Sequence, residues 1–173
     1  MLLNPEWCIL KLEKYNIGHS CGKGSGVNRE NGGMEMYSAI AEIHDTFAKR
    51  DIKHKVDQVG ETWLVRAGMS GKSSTYDFLF IKTDAEGNDV AVRVFKVARF
   101  KPHQRELALE TINEVQKKFR FVRFVLDDDC DVNVEYDFPA SYLAIGEGAF
   151  DMLIRMTSIL DESYPQLMRA VWG

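Results

Sequence analysis

Gly71-Lys72-Ser73 is the first place in this chain where phosphate chemistry could sit. A phosphate-cradling loop needs a glycine five positions ahead of the glycine of its Gly-Lys pair. It also needs a helix opening directly behind it, whose first N–H groups face the anion. Position 66 is Arg66, and residues 74–81 are aromatic and strand-like, so the tripeptide reads as a hairpin loop. Gly22-Lys23-Gly24-Ser25-Gly26 has no helix signal behind it and reads as linker. Asp127, Asp128, Asp129 and Asp131 hold enough carboxylate for a divalent cation, but a calcium loop counted from Asp127 would need glycine at its sixth place and glutamate at its twelfth. Those places are Val132 and Phe138. Aspartates also bond their own backbone in tight turns, and that is the reading taken here.

The remaining chemistry-bearing residues do not assemble into a set. Cys8, His19 and Cys21 lack a fourth zinc ligand nearby. His44, His54 and His103 fall on separate elements, and Cys130 stands among carboxylates, a poor setting for a reactive thiolate. Three cysteines without a CxxC pair argue against a disulfide framework. The expectation is a non-enzymatic protein with no cofactor and no metal. Arg93, Lys96, Arg99, Lys101 and Arg105, interleaved with Phe95 and Phe100, form the one basic aromatic stretch. It could track a phosphate backbone, but a net charge of −4 favours pairing with acidic neighbours.

The elements that must position these residues follow from periodicity. Apolar residues make up 45% of the 173, which is ample for a single core without disulfides or metal. No run approaches the ~20 apolar residues that span a bilayer. Charged residues at Glu6, Lys11, Glu13 and Lys14 occupy the place of a signal peptide's apolar core, so the expected compartment is the cytoplasm. Residues 1–33 read as an N-terminal extension and glycine-rich linker, disordered or non-native. Asn31-Gly32-Gly33 can be encoded by a ribosome-binding GGAGG ahead of Met34 and Met36, either of which would then be the natural start. Residues 34–173 read as one domain.

Within it, Met36, Ile40, Ile43 and Phe47 make a helical stripe. Strands are expected at 53–59, 62–67, 75–81 and 90–97, joined by short turns and therefore antiparallel. Pro102 opens a helix with the stripe Ala108, Ile112, Val115 and Phe119. A hairpin follows, with an apolar run at 122–126, a turn at 127–131, and Val132, Val134, Tyr136 and Phe138 alternating with polar residues. A helix over 147–162 carries Ala149, Leu153, Met156 and Leu160 inward, and Pro165 starts a short terminal turn. The order is α-β-β-β-β-α-β-β-α. This is an α+β fold with an antiparallel sheet of five to six strands and helices mainly on one face.

Arg123-Phe124-Val125-Leu126, the acidic turn, Glu135-Tyr136-Asp137-Phe138-Pro139 and the tail from Tyr164-Pro165 to Trp172-Gly173 together resemble the YbjN-domain family of putative bacterial sensory transduction regulators. That family's turn usually carries glycine where Cys130 stands, and a cysteine there would be strained at positive φ. The resemblance implies a fold like that of type III secretion chaperones, small acidic proteins, commonly homodimers, that bind extended segments of other proteins. It supplies no catalytic residues. An α+β sheet can bind this way through an apolar face or a free strand edge. The 75–81 strand is apolar on both faces, with Tyr76, Phe78 and Phe80 on one and Leu79 and Ile81 on the other. The second row is expected to be covered by a dimer partner or a bound polypeptide. The function implied is protein binding with a chaperone-like or regulatory role. A small-molecule-binding sensory domain, or a nucleic-acid-associated regulator using the 93–105 stretch, are the alternatives.

Overall fold

A computed structural model describes residues 37–82, 89–140 and 144–173. The expectations for residues 1–33, including the cysteines and histidine there, and for Met36 lie outside the described residues. The elements run α1 (Ser38–Lys49), β1 (His54–Val59), β2 (Thr62–Ser70), β3 (Thr75–Lys82) and β4 (Asp89–Arg99), followed by a 3-10 turn (Pro102–Gln104). Then come α2 (Arg105–Gln116), β5 (Arg123–Leu126), β6 (Asp131–Pro139) and α3 (Ile145–Trp172). This is the α+β order that the periodicity predicts. The six strands form one antiparallel sheet in the order β1-β2-β3-β4-β6-β5, so β6 inserts between β4 and β5.

Period-two alternation sorts the sheet into two faces. Val65, Phe78, Phe80, Val92, Val94, Val132 and Val134 point to one face, where Ile40, Ile43 and Phe47 of α1 and Leu153, Met156 and Leu160 of α3 pack on them. Ala108, Ile112 and Val115 bring α2 to the same core, and Phe119 packs half-buried beside it. On the opposite face Leu64, Leu79, Ile81 and Phe95, with Ala91 against them, form a smaller buried cluster to which, among the described residues, no helix contributes. α1 and α3 meet closely at Gly146, where an added Cβ would lie 2.1 Å from the Thr46 hydroxyl and 2.7 Å from the Glu42 carbonyl.

Two local expectations need correction. The last helix does not stop at residue 162: it runs unbroken through Pro165 to Trp172. A proline mid-helix removes the N–H that would reach the carbonyl four residues back, here Asp161. That oxygen instead faces the Ser73 hydroxyl at 3.4 Å, and the apolar side chains on either side, Leu160 and Leu167, are fully buried, so packing overrides the break. The strand expected over 90–97 is not a regular one: β4 slips register between Val94 and Ala98. Lys96 sits at φ 56° with its N–H bonded to Asn133 Oδ1, which sends Phe95 to the small cluster and Val97 to the main core.

Candidate functional site

The sequence-predicted contact residues lie on β3, the third strand of six, so both of its edges are paired. All five are buried within the single chain, none more than 4% exposed. Tyr76, Phe78 and Phe80 lie under the helices, with the Phe80 ring edge-on to Phe47 at 5.3 Å and Tyr76 edge-on to Tyr164 at 6.4 Å. Leu79 and Ile81 lie in the small cluster.

The Gly71-Lys72-Ser73 loop does hold an anion, one supplied by the chain itself. Asp161 of α3 accepts the Lys72 N–H at 2.7 Å and the Ser73 N–H at 3.0 Å, and the Tyr76 hydroxyl donates to it at 3.3 Å. A side chain at Gly71 would collide with that carboxylate, its Cβ 2.3 Å from an oxygen. The backbone N–H of Lys72, with those of Ser73 and the Tyr76 hydroxyl, holds the Asp161 carboxyl below the usual carboxylate range, against the opposing effect of its own burial. Burial, reinforced by Asp161, pushes the Tyr76 phenol well above its ordinary value.

The acidic turn is structural as well. Asp127 Oδ1 accepts the N–H groups of Asp129 and Asp131, both at 2.9 Å, and Oδ2 accepts the Asn133 amide at 3.2 Å. Cys130 takes φ 61°, the left-handed geometry that favours glycine, and its thiol is buried. Asp131 is completely buried and takes a two-point contact from Arg99, at 2.5 and 2.8 Å, which raises the arginine's affinity for its proton. Arg93 pairs with Asp137 at 2.5 Å and Arg105 donates to the Asp127 carbonyl at 3.0 Å, so three of the five cations of the basic stretch serve the chain's own acids and carbonyls. Among the described residues no group of three His, Cys, Asp or Glu side chains is placed to hold a metal ion. His44 and His54, ten residues apart on α1 and β1, do meet, ring nitrogen to ring nitrogen at 2.7 Å. No short-range pattern connects them.

Among the described residues the large apolar side chains left exposed are Leu107, Leu109, Phe121, Ile154 and Trp172. Two of them flank a groove of about 380 Å³ between the α2–β5 connection and the middle of α3. Phe119, Met152 and Ile159, half-buried against the core, form its apolar lining. Phe121 stands at its side, 70% exposed and at φ 75°. A bulky side chain in this left-handed region costs roughly 1–3 kcal/mol. The connection is held in this shape by Gln116 at the end of α2, whose side-chain amide donates to the Val122 carbonyl at 2.7 Å and accepts the Phe124 N–H at 2.9 Å. Lys118, Arg120 and Arg155 ring the groove with positive charge. Sequence reasoning missed this site because its two sides are some thirty positions apart, roughly the length of a supersecondary unit. The one local hint is an aromatic-basic alternation, Phe119-Arg120-Phe121, just ahead of a strand.

No protein-family model matches the chain, and no curated protein matches it significantly.

Proposed function

We propose that this chain is a non-enzymatic protein-binding domain with a chaperone-like or regulatory role, as its resemblance to the YbjN-domain family and to type III secretion chaperones implies, and that it works in the cytoplasm as a homodimer. The observation that carries the binding role is the groove beside Phe121. Exposed apolar side chains gathered around a concave apolar surface mark interaction sites rather than scattered surface residues. Phe121 is also held, at a cost, in a conformation that points a ring toward solvent. The engagement of Arg93, Arg99 and Arg105 with the chain's own groups supports a protein partner over a nucleic acid.

A photo-crosslinking residue placed at Ser158, which lines the groove, tests this in living cells. The expected result is a discrete crosslinked protein from position 158, no such product from position 55 on β1, the edge of the sheet opposite β5, and its loss in Phe121→Asp. A product of equal yield from both positions, or one indifferent to Phe121→Asp, would remove the groove from the reading. Light scattering of the purified chain tests the homodimer separately.

A further inference from the structure

We propose that the groove between residues 118–122 and α3 receives an acidic segment carrying one bulky apolar side chain. The proposal rests on the reading of this groove as a docking surface and adds the chemistry of what docks.

The charge around the groove is the argument. The chain carries a net charge of −4, and beyond residue 120 its only basic side chains are Arg123, Arg155 and Arg169. Arg123 is taken up by Glu135 at 2.6 Å. Arg155, by contrast, is placed on the groove beside Arg120 and Lys118. All three are exposed. Among the described residues neither the Arg120 nor the Arg155 guanidinium has a hydrogen bond or ion pair, and the Lys118 ammonium donates only to the neutral Gln166 amide oxygen at 2.5 Å. The acids near them do not neutralise the ring: Glu114 is engaged by Lys117, and Asp151, one helical turn before Arg155, makes no ion pair with it. Two free guanidinium forks either side of an apolar hollow present the complement of a carboxylate-flanked anchor. Arginine binds carboxylates in a planar two-point geometry, and a desolvated apolar anchor surrounded by a charged rim is the usual anatomy of an affinity-determining site.

The shape selects among occupants. A membrane surface would ask for a protruding apolar face with more than one anchoring signal. Here Phe121 and Ile154 stand at the sides of a hollow lined by Phe119, Met152 and Ile159, which fits a side chain entering from outside. A second copy of this acidic chain is the remaining competitor, and the experiment separates it.

The test uses the full chain and short fluorescein-labelled peptides, read by fluorescence anisotropy. One peptide carries a central leucine flanked by glutamates. Its controls replace the glutamates by glutamines, the glutamates by lysines, or the leucine by alanine. The expected result is binding of the glutamate–leucine peptide that weakens with added salt and by about tenfold or more in Arg120→Glu/Arg155→Glu and in Phe121→Ala, with little binding of any control. Equal binding of the glutamine and glutamate peptides, still dependent on Phe121, would overturn the acidic partner and leave the docking surface standing. Failure of every peptide would overturn the proposal, and failure of the Ser158 crosslink as well would remove the docking surface too. Sedimentation with phosphatidylserine vesicles that depends on Phe121 and Arg120, or a dimer that Phe121→Asp converts to monomer, would replace the peptide by a membrane or by a second copy.

Discussion

Removing the Asp161 carboxylate should loosen the attachment of the β2–β3 loop to α3. In Asp161→Ala the Lys72 and Ser73 N–H groups lose acceptors at 2.7 and 3.0 Å, and the Tyr76 hydroxyl loses one at 3.3 Å. Hydrogen bonds to a charged group are worth about 1.5–3 kcal/mol net when well enclosed. Lys72 and Ser73 are exposed, so water can replace part of the loss, and about 2–3 kcal/mol for the whole arrangement is the expected cost. In a chain of this size that corresponds to a drop in Tm of about 4–12 °C. Urea unfolding at neutral pH measures it directly as a shift in midpoint at constant slope. The pH dependence gives a second, independent reading. The folded Asp161 carboxyl lies below its ordinary value of 3.8, so its stabilisation is fully present above that value and is lost as pH falls through the folded value. The difference between wild type and Asp161→Ala should therefore shrink in acid. Gly71→Ala should cost less in the Asp161→Ala background than in the wild type, because the colliding carboxylate is gone. A variant as stable as wild type at neutral pH, or a difference that does not change between neutral pH and strong acid, would refute the role assigned to this carboxylate.

Three further outcomes follow from the same geometry. Phe121→Asn, which suits the left-handed backbone better, should leave the chain as stable as wild type or more stable by up to about 1 kcal/mol in thermal melts while abolishing the Ser158 crosslink. Arg99→Ala should cost about 1.5–3 kcal/mol, the exposure of the arginine side chain limiting the loss, and more than Asp131→Asn, since it strips the guanidinium from a completely buried carboxylate; equal effects in urea melts would count against the assignment. Gly146→Ala, whose Cβ would overlap Thr46, should lose about 1–3 kcal/mol, and Gly146→Ala/Thr46→Ala should recover part of it in the same melts.

The fold was legible wherever one face of an element is buried. Ile40, Ile43 and Phe47 repeat at helical spacing, and Val132, Val134 and Phe138 at strand spacing, because each set meets the same core. Legibility failed where tertiary contacts outweigh a local rule. Pro165 reads as a helix boundary, yet Leu160 and Leu167 are buried on either side of it and hold α3 together. Lys96 is an ordinary strand residue by sequence, and only its N–H bond to Asn133 makes it the centre of the β4 slip. The candidate site was less legible still. Double apolarity drew attention to β3, where it reflects burial on both faces of a central strand. The groove depends on residues 118–122 meeting residues 152–159, and on Arg120 and Arg155 converging there, a distance relation that no periodicity encodes.

Gln116 has a consequence for how this chain coexists with others in a crowded solution. β5 is the last strand of its sheet, and an uncovered outer strand is a template on which other chains can pair and aggregate. The Gln116 amide donates to the Val122 carbonyl and accepts the Phe124 N–H, doing with one side chain what the peptide group of an incoming strand would do. The sheet is in that sense already terminated by an imitation of its next member. A strand adding at β5 would have to displace this amide first, because the Val122 carbonyl and the Phe124 N–H are already paired with it.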